Sequence, residues 1–235
     1  PWALLWAALA LFGPFVFVAF WADANTIAAA RVLPPEVSNG STNLDANGDL
    51  GLGVLDQAAF AATIFVNNIK VGFIVFAGGI TLGIFSAVAL VFNGYSFGLL
   101  TGFAVGTGAG ARLFELTLPH GVLELSLIVV AGAAGFNLGW AAIEPGELPR
   151  ATSLLLEARD SVEIVLGTAF WLVIAGLIEG FVTPRAIGIP AALVVGFGAA
   201  AVFWLLVVLL GRPLDADDAE LAAAKRVDAV LIRSV

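Results

Sequence analysis

VGFIVFAGGITLGIFSAVALVF, residues 71–92, runs without one charged side chain. About 20 apolar residues carry a helix across the hydrocarbon core of a bilayer, so this stretch reads as a transmembrane span. Further spans are read outward from it at about 2–21, 95–111, 120–143, 162–182 and 186–210. Trp2, Trp6 and Trp21 suit the membrane–water interface, and Pro14 marks a possible kink.

The composition agrees. Hydrophobic residues make up 60% of the chain and charged residues 12%, with a mean hydropathy of +1.03. Period-two alternation is missing, which argues against an outer-membrane barrel. These features predict an all-α polytopic bundle of about six spans. The chain has no cysteine, which removes disulfides, thiolate metal ligands and cysteine nucleophiles. A net charge of −8 makes nucleic acid an unsuitable partner. The lipid bilayer is the first partner implied.

The expected organisation is a transmembrane bundle over 1–211, with an extramembrane loop at 23–57 and an amphipathic linker at 147–160. A polar tail follows over 212–235. Asn93-Gly94 reads as the tight turn between the second and third spans. Because the chain opens at Pro1-Trp2 inside an apolar run and lacks methionine, residues upstream are expected. The opening run has neither a basic leader nor a cleavage site and reads as a span, not a signal peptide. Six spans set both ends on one side. Placing that side in the cytoplasm puts six of the ten basic residues inside and four outside, in the sense of the positive-inside rule. The expected location is therefore the inner (plasma) membrane, with both termini cytoplasmic.

Gly94, Gly98, Gly102, Gly106 and Gly110 recur every four residues, and Gly135/Gly139 and Gly176/Gly180 repeat the spacing. Residues four apart share a helical stripe, where glycine lets a second backbone approach closely. The stripe predicts tight packing within the bundle. Its alternative use is a seam between two copies, so a homo-oligomer such as a dimer is expected, with other membrane proteins as further candidates.

Polar groups are few inside the spans and therefore conspicuous. His120, the only histidine, stands one helical turn from Glu124 behind Pro119. Glu179 lies about a turn before Pro184, and Asn67, Asn68 and Lys70 stand where the second span begins. Six spans bring these three segments to one level near the outer surface, so they are expected to face one another. The cluster admits several readings: a hydrogen-bonded clamp, a solute, ion or proton site, or a metal site holding Zn2+ or Fe2+ through His120, Glu124 and Glu179. An HExxH spacing and a Walker loop are absent. No catalytic residue is assigned. Asp45, Asn47, Asp49 and Asp56 occupy oxygen-ligand positions of a Ca2+-loop frame, with Leu50 where such a loop carries glycine.

Several motifs occur in a recognisable order: Asn67-Asn68, Phe92-Asn93-Gly94, Leu118-Pro119-His120-Gly121 with Glu124, Gly132-Ala133-Ala134-Gly135, and Glu179-Gly180-Phe181-Val182-Thr183-Pro184. Together they resemble the stage II sporulation protein M family of integral membrane proteins over most of 10–211. That resemblance implies a multi-spanning inner-membrane subunit. The family's namesake works beside peptidoglycan-degrading partners as a membrane component, not as the hydrolase. The leading expectation is a non-catalytic scaffold for cell-envelope remodelling. The alternatives are a small-solute or ion transporter using the His/Glu cluster and a metal-dependent intramembrane hydrolase.

Overall fold

The computed structural model describes residues 2–35 and 54–210, and every regular element among them is helical. The helices are α1 (Trp2–Ala24), α2 (Thr26–Val32), α3 (Val54–Ala77), α4 (Ile84–Gly106), α5 (Gly110–Ile143), α6 (Arg150–Phe181) and α7 (Ile189–Leu210), with 3-10 turns at Gly78–Thr81 and Thr183–Arg185. The fold is a membrane-helix bundle. Five helices are long and apolar enough to cross a bilayer: α1, α4, α5, α6 with the turn that follows it, and α7. A shorter apolar segment, Val66–Thr81, accompanies them. The expectation of about six spans resolves into these five and the shorter segment.

The central element is α5, which packs against α1, α3, α4, α6 and α7. Its inward stripe includes Leu123, Leu127, Ile128 and Leu138, all nearly inaccessible. A helix surrounded on all sides must be apolar or small around its circumference, and the Gly132-Ala133-Ala134-Gly135 stretch meets that need.

The glycine stripe of α4 is covered by α1. A Cβ on Gly94 would fall on the carbonyl oxygen of Leu11, on Gly98 on that of Phe15, and on Gly102 on that of Ala19, while Gly106 abuts Asp23. Partners advance by four residues as the glycines do, so α1 and α4 run parallel in close backbone contact. In lipid, where hydrophobic drive between helices is weak, such approach supplies the attraction. The stripe is thus occupied within one copy of the chain. Gly110 does not belong to it: α4 ends at Gly106, the chain turns, and Gly110 opens α5. Gly176 and Gly180 are buried on α6.

Two expected boundaries are corrected. Residues 71–92 do not form one span, and Asn93-Gly94 is not a turn; both residues lie inside α4, where the Asn93 amide donates to the Ala89 carbonyl. The reversal comes earlier, at 78–83. Leu82 and Gly83 adopt left-handed backbone with φ of 59° and 80°. The Thr81 hydroxyl donates to the Gly78 carbonyl and accepts the Phe85 amide, capping α4. The buried Ser86 hydroxyl donates to the Val75 carbonyl across the hairpin at 2.6 Å. These groups satisfy the backbone broken at the reversal.

Residues 147–160, expected as a separate amphipathic linker, belong mostly to the first turns of a continuous α6. The Ser153 hydroxyl donates to the Ala141 carbonyl, the Ser161 hydroxyl to that of Ala134, and Leu154 and Ala158 pack on Phe76, Ala134 and Leu138. Leu154 and Ala158 are partly buried there, while Leu155 stays half exposed. Asp45, Asn47 and Asp49 of the Ca2+-loop frame lie outside the described residues, as does the tail 212–235; Asp56 falls on the backbone of α3.

Candidate functional site

Pro119 sits within α5, where it leaves one carbonyl of the preceding turn without its helical donor. One residue on, His120 projects inward. Glu124 follows at i+4 on the same face. From α6, Glu179 faces them, and Thr183, four residues further, opens the 3-10 turn at the helix end. Two i,i+4 pairs on adjacent helices therefore oppose each other. His120, Glu124, Glu179 and Thr183 are all buried.

The contacts are specific. His120 Nδ1 lies 3.3 Å from the Thr183 hydroxyl. Its Nε2 lies 3.5 Å from Glu179 Oε1, beyond the range of a good N–H···O bond. Glu179 Oε2 is buried, with no hydrogen-bond partner among the described residues. Asn68, buried on α3, lies beside Glu124. One ligand atom each from His120, Glu124 and Glu179 lie within 4.8 Å of one another. A second polar layer stands nearer the start of α5: Arg112 pairs with Glu115 at 2.8 Å, and Glu115 accepts the Gly188 amide at 2.8 Å. That layer ties the α6–α7 turn to α5 above the triad.

The cluster is also open on one side. A cavity of about 350 Å³ lies between α1, α4 and α5, with Phe12, Phe97, Thr117, His120, Glu124 and Ser126 in its wall. Most of its wall is apolar, and the imidazole and the Glu124 carboxyl are its ionisable groups. Glu179 lies behind them on the α6 side.

Of the residues expected to converge, His120, Glu124, Glu179 and Asn68 do. Asn67 and Lys70 do not: both are exposed on α3, where they share a surface hollow with Ala62 and Val66. A helix turns about 100° per residue, so residues one before and two after the inward-facing Asn68 must point elsewhere. Asn67 still touches the group indirectly, its amide 3.5 Å from Asn68 Oδ1. Thr183 was missed, as was the Arg112–Glu115 layer. Thr183 was legible in principle, because it falls four residues after Glu179.

The comparisons come from sequence. The pattern describing stage II sporulation protein M matches residues 8–184. An uncharacterized protein of Methanocaldococcus jannaschii is 32% identical over 128 residues, covering 52% of this chain and 70% of that one. No solved structure matches.

Proposed function

The chain belongs to the stage II sporulation protein M family, and on that premise we propose that it is a non-catalytic membrane subunit of a cell-envelope complex whose buried His/Glu site responds to a small ligand. One observation carries the ligand-responsive part: Glu179 Oε2 is buried and unpartnered beside a second carboxyl and an imidazole. A clamp evolved for stability alone would satisfy that oxygen, because an unsatisfied buried polar atom costs about 1–3 kcal/mol. Arrangements that sacrifice stability in this way cluster at functional sites. The subunit role rests on the family setting. In this reading the membrane is the inner one, both termini are cytoplasmic, and the six-to-four distribution of basic residues supports that orientation.

The test is assembly. Purified from native membranes in mild detergent, the chain is expected in a stoichiometric complex with other envelope proteins. His120→Ala should unfold within a few degrees of the parent chain yet change the composition of that complex. The cavity favours a second reading, transport of a small solute or ion past His120 and Glu124. If the chain purifies alone, and proteoliposomes show a flux that His120→Ala abolishes, the transport reading replaces the subunit reading.

A further inference from the structure

The buried site has the donor set of a metal centre, and the separation of its imidazole and Glu179 fits one better than it fits a hydrogen bond. Zinc binds histidine nitrogen and carboxylate oxygen at about 2.1 Å, so two tetrahedral ligands stand about 3.4 Å apart. The separation of His120 Nε2 from Glu179 Oε1 is 3.5 Å. That is long for a hydrogen bond and close to the edge of such a tetrahedron.

The imidazole is already held for the task. When Nδ1 donates to the Thr183 hydroxyl at 3.3 Å, the lone pair is left on Nε2, the nitrogen that faces Glu179. Orientation of a ligating histidine by a hydrogen bond from its other nitrogen is the common outer arrangement of metal sites. Asn68 lies beside Glu124. The unpartnered Glu179 Oε2 supplies a further lone pair. The three ligand atoms lie within 4.8 Å of one another, so side-chain adjustments of about 1.4 Å bring them to tetrahedral edges.

Resting on the ligand-responsive reading above, we infer that His120, Glu124 and Glu179 form a binding site for a divalent first-row transition metal such as Zn2+, with an open coordination position facing the apolar cavity. Nitrogen plus two carboxylates selects this class over Ca2+ and Mg2+, which take oxygen ligands in larger number or keep their water. Three protein ligands and one free position is the pattern of sites that engage a further molecule. The wall carrying His120 and Glu124 is where the cavity meets the triad, so that molecule would approach between α1, α4 and α5.

The experiment uses the full chain in detergent. After chelator treatment and its removal, Zn2+, Mn2+, anaerobic Fe2+ and Mg2+ are titrated separately. Thermal unfolding, bound-metal analysis and X-ray absorption on the zinc-loaded protein serve as readouts. The expected result is about one transition metal per chain, a raised unfolding midpoint, no effect of Mg2+, and a shell of one nitrogen with oxygens. Glu179→Gln and Glu124→Gln should each weaken zinc binding at least about 100-fold, and Thr183→Val about 10-fold or more through the histidine's orientation. These conservative variants keep the test informative if His120→Ala does not fold. Glu163→Gln, outside the cluster, should bind as the parent does.

Binding below a tenth of an equivalent, or a shift that survives Glu179→Gln and Glu124→Gln, overturns the metal inference. If metal fails to bind while His120→Ala still alters assembly, the ligand-responsive reading stands with another ligand. Where metal binds and neither Glu179→Gln nor His120→Ala changes assembly, the metal site stands and the subunit reading falls.

Discussion

The two ends of α5 solve opposite problems. Toward Ile143 the helix is closed by glycine: a Cβ on Gly135 would run into Ser86 Oγ and the Val75 carbonyl, and one on Gly139 would meet the backbone of Leu82 and Gly83. Toward Gly110 it carries His120 and Glu124 against Glu179, with one oxygen left unpartnered and a cavity alongside. The first end has its buried hydroxyls, Ser86 and Ser161, donating to carbonyls. The second tolerates an incomplete polar network. One end is closed by backbone approach, and the other leaves a buried oxygen unpartnered among the described residues beside a cavity.

The contrast breaks most readily at the glycine end. Gly139→Leu forces a side chain into the backbone of the 82–83 reversal and should cost about 3 kcal/mol or more, read as loss of folded protein by size-exclusion in detergent. Gly102→Leu should separate α1 from α4 at a cost of about 2–3 kcal/mol. Because that stripe is covered within the chain, the oligomeric mass should stay constant; a change in mass would mean a second copy also uses it.

The polar end should respond with the opposite sign. In metal-free protein, Glu179→Leu replaces an unpartnered buried carboxyl with an apolar side chain of similar volume and should raise stability by about 1 kcal/mol. A fall of that size in the unfolding midpoint would show that the cluster is a clamp after all, and the comparison would collapse. Ser86→Ala removes the hydroxyl that satisfies the Val75 carbonyl and should cost about 1 kcal/mol. Trp204→Phe, which deletes a 3.1 Å bond from the indole to Ser126, should cost about 0.5 kcal/mol.

Much of the site was readable from spacing alone. His120 and Glu124 share a face because they are four apart, and Glu179 meets them because α5 and α6 are consecutive antiparallel helices, which sets the start of one beside the end of the other. Lys70 illustrates the limit: it is close in sequence to Asn68, but its position on the helix turns it outward. Asn93-Gly94 illustrates another, since a turn-forming pair can lie inside a helix when its glycine is needed against Leu11 and its asparagine finds the Ala89 carbonyl.

The sequence by itself determined a helical membrane protein, because length and apolarity of a run decide whether lipid accepts it; the family resemblance lay in the ordered motifs. It also determined which side chains are too costly to leave in lipid unaccompanied. Only the tertiary structure decided where the 71–92 run breaks, since Gly78, Gly79 and Gly83 permit a reversal that the packing of Ser86, Gly135 and Gly139 then stabilises. It alone decided that α1 occupies the glycine stripe, and that Thr183, not Lys70, accompanies the imidazole. Contacts between helices depend on rotation about each axis, and in a bundle whose helices are apolar almost all round, hydropathy leaves that rotation open.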